Sequence, residues 1–166
     1  MIAALAALAL MSVPLQSTED PVVAAEAVVD RMHAAASHAD ADAYFGLFTP
    51  DARFIGTDAT ERWSLAQFKA YAAPYFSRGQ GWTYRPHDRV TTLAPGDCRC
   101  IVWFDELLDN DAYGLTRGSG VLRRTEDGWK IEQYVLSMPI PNDKAKAVVA
   151  LVQSPVEARP DADPAH

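Results

Sequence analysis

The periodicity of apolar residues changes at Gly81, and this change limits the chain to one class of fold. Before Gly81, apolar residues recur mainly at helical spacing; after it come four segments rich in β-branched and aromatic residues. These segments are Trp82–Leu93, Cys98–Leu108, Arg117–Arg124 and Trp129–Met138. The turn sequences at 95–97 (PGD) and 126–128 (EDG) indicate antiparallel hairpins, and Pro86 indicates a bulge or an edge strand. Helices followed by a sheet predict an α+β domain.

Three helices are predicted before this point. The first begins at Asp20 and extends to about residue 38, because Asp is a preferred N-cap and the following proline fits the first helical position. Asp40 caps a short second helix that carries residues 44–48 and ends at Pro50. Residues 51–57 (DARFIGT) then form a strand. A capping box at 64–67 (SLAQ) begins the third helix.

Size and charge exclude several kinds of protein. The 166 residues are enough for one domain, and a net charge of −7 argues against a nucleic-acid-binding surface. The two cysteines are too few for a closed zinc site, and we predict neither a metal nor another cofactor. Cys98 and Cys100 are two residues apart in a predicted strand, where their Cα atoms would lie about 6.5–7 Å apart. We therefore expect two unpaired thiols.

The two ends of the chain have compositions of their own. Residues 2–15 (IAALAALALMSVPL) are apolar but too few to span a bilayer, and residues 1–18 are therefore predicted to be a signal peptide. This predicts a periplasmic or secreted protein without a membrane span; without export, the location would be cytoplasmic. Residues 143–153 are predicted to form a short helix, and residues 154–166 a disordered tail.

Several segments between these ends share their order and spacing with a known family: the paired-helix start, ADAYFGLFTPDARFIGTDATERW, WFDELLDN, RGSGVLRR and DGWKIEQYVLSMPIPN. Together they resemble SnoaL-like proteins of the nuclear transport factor 2-like superfamily. The resemblance assigns residues 20–142 to one SnoaL-like domain. It implies a cone-shaped fold in which a curved antiparallel sheet wraps a long helix around a pocket, often in a homodimer. Relatives include isomerases, cyclases, dehydratases and non-catalytic binding domains.

Two adjacent acids are the candidate catalytic residues. Asp105 and Glu106 lie in an apolar strand, so their side chains point to opposite faces, and at least one is expected in a partly dry place. Such an acid is a candidate general base. Arg117, in the next strand, is close enough to pair with either acid and would then make it a structural anchor. His33 is interpreted as a structural or exposed histidine.

The predicted pocket is apolar and aromatic. Its candidate ligand-binding residues, besides Arg117, are Tyr44, Phe54, Trp63, Trp103, Phe104, Gln133 and Tyr134. In similar proteins histidine is frequent at the positions of Gln133 and Val135, so an acid/base pair is in doubt here. The first hypothesis is a domain that binds a small apolar or amphipathic molecule without catalysis. The alternatives are an isomerase, cyclase or dehydratase that uses an inward carboxylate, and a dimerising interaction module.

Overall fold

A computed structural model describes residues 19–154. The helices are α1 (Pro21–Ser37), α2 (Ala41–Phe45), α3 (Leu65–Phe76) and α4 (Ala145–Gln153). The strands are β1 (Phe48–Ile55), β2 (Arg62–Ser64), β3 (Arg85–Leu93), β4 (Ile101–Asn110), β5 (Gly114–Thr125) and β6 (Gly128–Ser137). The predicted signal peptide, and the predicted tail beyond Ser154, lie outside the described residues. No helix within residues 19–154 combines the length and apolar character needed to cross a membrane.

The predicted helix starts are confirmed by their caps. The Asp20 carboxylate accepts a hydrogen bond from the backbone N–H of Val22 at 2.9 Å, and Asp40 accepts one from Ala43 at 3.0 Å. Ser64 and Gln67 form both bonds of the capping box. Each bond satisfies a backbone group that the first helical turn leaves without a partner.

The strands form one curved, unclosed sheet in the order β2-β1-β6-β5-β4-β3, so the α+β cone is confirmed. β3 to β6 form the predicted antiparallel meander. β1 joins it by parallel pairing with β6, which the sequence did not indicate. β3 is an edge strand with a register shift between His87 and Val90, and this confirms the interpretation of Pro86.

The boundary between α2 and β1 differs from the prediction. The helix ends at Phe45, and the strand begins at Phe48, so Pro50 lies inside a strand. The pairing of β1 with β6 shifts register between Phe48 and Arg53, and an interrupted ladder accommodates a residue without an N–H. The short strand β2 was not predicted.

The prediction of two free thiols is wrong. Cys98 and Cys100 form a disulfide with their Cα atoms 5.1 Å apart. Both lie before β4 begins, and Arg99 between them has a φ of 45°. This left-handed turn brings the two Cα atoms closer than an extended strand would.

The core lies between the helices and the inner face of the sheet. α1 contributes a buried stripe that includes Val28, Val29 and Met32, and the sheet contributes Val102, Leu122 and other alternate residues. Helix α4 has no buried residue, and its Leu151 and Val152 are largely exposed. The functional groups described next lie where α1 meets the inner face of β3, β4 and β6.

Candidate functional site

The two candidate acids point in opposite directions, as predicted. Alternate residues of β4 are buried, and Glu106 is one of them, with its side chain 0% exposed. The Asp105 side chain is 54% exposed and lies 3.9 Å from the Arg117 guanidinium, which is itself half exposed. Arg117 therefore pairs with the outer acid alone. Such an exposed pair contributes little to stability.

Three charge-assisted contacts surround the inner carboxylate. Glu106 Oε1 lies 2.6 Å from Nε2 of His33, and Oε2 lies 2.7 Å from both Nε and Nη2 of Arg89. The two guanidinium contacts are typical of an ionised carboxylate, which can only accept hydrogen bonds. Nε2 of His33 is then the donor, and Nδ1 is the nitrogen that can accept a proton. Within residues 19–154, Nδ1 of His33 has no hydrogen-bond partner.

A local irregularity of β3 brings Arg89 into this network. The register shift between His87 and Val90 includes Asp88, whose φ is 50°, and the resulting bulge turns the Arg89 side chain inward. Nη1 of Arg89 lies 2.7 Å from Asp30 on α1. Arg89 thus bridges a carboxylate of the helix and a carboxylate of the sheet.

Glycines on β5 make room for the inward groups of β4 and β6. Gly118 lies opposite Glu106, and Gly120 lies opposite Phe104. A Cβ atom at Gly118 would collide with the Tyr134 hydroxyl and come 3.2 Å from Glu106 Oε1. A Cβ at Gly120 would lie 2.8 Å from the Phe104 ring. The two missing side chains therefore leave room for the polar cluster and the rings beside it.

A cleft of about 360 Å³ opens beside this cluster. One wall is a set of stacked rings: the Trp63 ring lies 4.6 Å from Tyr71 and 5.6 Å from Phe68, with interplanar angles of 24° and 8°. Further lining residues are Phe54, Trp82, Tyr84, Tyr113, Asp58 and Glu61. The cleft is therefore mainly aromatic, with two carboxylates among its lining groups.

A smaller hollow of about 20 Å³ lies between this cleft and the buried cluster. His33 borders it together with Tyr44 and Tyr134. Phe54, Trp82, Tyr84 and Leu136 line both spaces, so the two share walls. A group at the inner end of the cleft would thus approach the imidazole, whereas Glu106 borders neither space.

Three tyrosines around these spaces, Tyr44, Tyr84 and Tyr134, remain protonated at neutral pH. Burial raises the pKa of Tyr84 to about 12 and raises the pKa of Tyr44 further. Burial also raises the pKa of Tyr134 well above its usual range, and the nearby charge of Glu106 adds to the effect. These phenols can therefore donate hydrogen bonds but do not serve as anionic bases.

The sequence identifies the family. The sequence pattern of the SnoaL-like domain matches residues 25–141. This chain belongs to the SnoaL-like domain family. No curated protein matches it significantly.

Solved structures share the fold of this SnoaL-like domain at low sequence identity. A ketosteroid isomerase-like protein from Erwinia carotovora atroseptica is 19% identical with a TM-score of 0.54, over 74% of this chain and 98% of that protein. A nuclear transport factor 2-like protein from Pseudomonas putida is 12% identical with a TM-score of 0.58, over 72% and 87%. A cystatin-like domain from Nostoc punctiforme is 14% identical with a TM-score of 0.62, over 80% and 85%. These likenesses concern the fold alone.

The SnoaL-like domain brings only some of the predicted ligand-binding residues together. Phe54 and Trp63 line the cleft, and Tyr44 and Tyr134 border the hollow. Phe104 is buried against the Tyr134 ring. The other three lie on the outer face or away from the cleft: Trp103, Arg117 and Gln133.

Sequence reasoning missed three groups of this site. His33 resembled an ordinary helical histidine, because nothing in α1 shows that Glu106 lies opposite it. Arg89 was overlooked because the bulge breaks the alternation of β3. Tyr84 precedes β3, and no motif or periodicity in the sequence indicated that it belongs to the site. The available signal was that His33 follows Met32 on a helix whose apolar residues predict burial.

Proposed function

We propose that this SnoaL-like domain binds a small apolar or amphipathic molecule in the aromatic cleft. The observation that supports this most directly is a space of about 360 Å³ lined by seven aromatic side chains. Ligand sites are typically concave and mostly apolar, with a few polar groups that orient the ligand. Trp63 and Phe54 supply ring surfaces in the cleft, and the protonated Tyr84 hydroxyl is a donor.

Titration with a neutral environment-sensitive dye, 6-propionyl-2-dimethylaminonaphthalene, tests this proposal. We expect saturable binding with a blue shift of the dye emission, and a loss of affinity of about tenfold in Trp63→Ala. Trp103→Ala is the matched control, because it removes the same side chain from the outer face. No saturable binding to the wild-type protein, or equal losses in both variants, would contradict the proposal.

Acid/base catalysis on the bound molecule is a second candidate function, and the position of His33 favours it. Glu106 is engaged by His33 and Arg89 and borders neither the cleft nor the hollow, so its contacts support a positioning role and not that of a base. His33 borders the hollow and has a nitrogen free to accept a proton. In an isomerisation, Nδ1 would take a proton from a carbon next to a carbonyl. The electron pair would remain as an enolate, and the imidazolium would return the proton to another carbon.

Hydrogen–deuterium exchange tests this second candidate without a known substrate. Ketones with acidic C–H groups are incubated with the protein in deuterated water and followed by nuclear magnetic resonance. Catalysed exchange should disappear in His33→Gln and persist in His38→Gln, which changes an exposed histidine at the end of the same helix. Exchange that survives in His33→Gln would rule His33 out as the base.

We also propose that the protein is exported and forms a homodimer. The apolar residues 2–15 and the Cys98–Cys100 disulfide support export, because disulfides persist mainly in oxidising compartments. The exposed apolar side chains of Val90 and Trp103 on the outer sheet face support a dimer. N-terminal sequencing of protein from the native host tests export, and a retained Met1 would contradict it. Light scattering of the wild type and of Trp103→Glu tests the homodimer, and a monomeric wild type would contradict it.

A further inference from the structure

The charged groups that line the aromatic cleft are all acidic. Asp58 and Glu61 border the space, and among its described lining residues there is no Lys, Arg or His. Neither carboxylate forms an ion pair with any residue in 19–154. The basic residues nearest to the two acids along the chain, Arg53 and Arg62, are exposed, and Arg85, next to the lining residue Tyr84, pairs with Asp111 at 2.6 Å. The cleft therefore has an uncompensated negative charge.

Hydrogen bonds fix both acids at the cleft. Asp58 Oδ1 accepts from the Thr60 backbone N–H at 2.8 Å and from the Thr60 hydroxyl at 2.6 Å. These bonds lower the pKa of Asp58, so it stays ionised at neutral pH. Oε2 of Glu61 accepts from the Asp58 N–H at 3.1 Å, and the absence of a side chain at Gly56 leaves room for the Glu61 carboxylate.

The aromatic side chains of the cleft present ring faces and phenol oxygens to the same space. Tyr71 and Tyr113 are 37% and 48% exposed, so part of each ring is open to a ligand. The pKa values of Tyr71 and Tyr84 are raised by burial first, and the charge of Glu61 contributes to both. Both rings line the cleft together with the Glu61 carboxylate. Ring faces attract cations electrostatically, most strongly when a carboxylate is close.

We propose that the cleft selects a quaternary or protonated tertiary amine attached to an apolar body. This inference rests on the proposed function, because it names the chemical class of the ligand in that same space. The cationic head would lie against Trp63 and Tyr71, near Glu61, and the apolar body would contact Phe54 and the inner rings. A carboxylate or sulfonate ligand would meet the two acids and be repelled.

Three probes with the same body and different charge test this selection. They are benzyltrimethylammonium, its neutral carbon isostere neopentylbenzene, and phenylmethanesulfonate, each measured by displacement of the neutral dye. We expect the cation to bind about tenfold more tightly than the hydrocarbon, and the sulfonate not to displace the dye. The advantage of the cation should shrink as salt is added, because partly exposed charges are screened.

Charge-removing variants separate the local effect from the net charge of the protein. Glu61→Gln should weaken binding of the cation about fivefold and leave the hydrocarbon unchanged. Asp105→Asn removes the same charge from the outer face and should leave the affinities for the cation and for the hydrocarbon unchanged. If the hydrocarbon or the sulfonate binds as tightly as the cation, or if Glu61→Gln has no effect, the inference is overturned while dye binding still supports a ligand site. If the dye itself does not bind, the proposed function fails and this inference with it.

Discussion

Nε2 of His33 lies 2.6 Å from Oε1 of Glu106, and this contact joins the first helix to the fourth strand inside the core. Arg89 makes the same connection from the third strand, through Glu106 and Asp30. The position of α1 over the sheet is thus fixed by directional polar contacts as well as by apolar packing. Such a cluster restricts the geometry more than an apolar core alone, and every member depends on the others.

Replacement of the central carboxylate should strongly destabilise the domain. Glu106→Gln removes the charge that partners Arg89 and leaves a guanidinium that is only 14% exposed without its carboxylate in the sheet. We expect the free energy of unfolding, measured by urea denaturation, to fall by about 3–5 kcal/mol. The reason is that the buried guanidinium keeps only the Asp30 carboxylate, which is itself 64% exposed, and not a loss of volume, since Gln has nearly the same shape as Glu.

The neighbouring acid is a matched control for this substitution. Asp105→Asn makes the same chemical change one residue earlier, at an exposed pair 3.9 Å apart. The free energy of unfolding of this variant should stay within about 0.5 kcal/mol of the wild-type value. Similar losses in the two variants would mean that the buried network is not what stabilises the contact between α1 and the sheet.

Alternation in β4 was sufficient to predict that one acid points inward, but not which one. The deciding features lie on other strands: Gly118 opposite Glu106 leaves space for a large inward group, and Arg89 supplies the countercharge. The register of the β4–β5 hairpin depends on how residues 111–113 turn, and the sequence does not determine this. The prediction that Arg117 could pair with either acid failed to distinguish them for that reason.

Helix caps were predictable because each depends on residues a few positions apart. The beginnings of α1 and α3 followed from Asp20 and from the Ser64–Gln67 pair, whose bonds are local. The start of β1 was not predictable, because Phe48 is held by parallel pairing with β6, more than 80 residues away in sequence, opposite Ile131. The partner of His33 was not predictable for the same reason, since Glu106 is 73 residues distant in sequence.

A side chain at Gly118 should disturb the ring and the carboxylate that face it. In Gly118→Ala the new Cβ would collide with the Tyr134 hydroxyl. We expect a loss of about 1–3 kcal/mol in the free energy of unfolding. Tyr134→Phe removes the colliding oxygen, so the double variant should lose less than the sum of the single losses. Strict additivity in this double-mutant cycle would show that the hydroxyl is not the obstacle.

Loss of the disulfide should have a small effect on stability. Cys98 and Cys100 are separated by two positions, so the bond closes a very short loop and constrains the unfolded chain little. Thermal unfolding of Cys98→Ser/Cys100→Ser should show a loss of about 1.5 kcal/mol or less. A thiol assay on unfolded, unreduced protein should find no free thiol. Two free thiols, or a loss as large as that of Glu106→Gln, would contradict this expectation.

Buried phenols should make the domain lose stability in alkali before they ionise. In the unfolded chain tyrosines lose their protons near a pKa of about 10, whereas burial raises the pKa of Tyr84 to about 12 and raises that of Tyr134 as well. Between these values the unfolded chain binds fewer protons than the folded chain, so the free energy of unfolding falls as pH rises. The contribution of each phenol is complete below its unfolded pKa and is lost as pH rises toward its folded pKa.

Urea denaturation at several alkaline pH values should show this fall in the free energy of unfolding, and Tyr84→Phe should make the fall less steep. The ultraviolet absorbance of tyrosinate should increase in a step when the protein unfolds. If every phenol of the folded protein instead titrates smoothly near its usual pKa, Tyr84 and Tyr134 are open to water and the prediction is wrong.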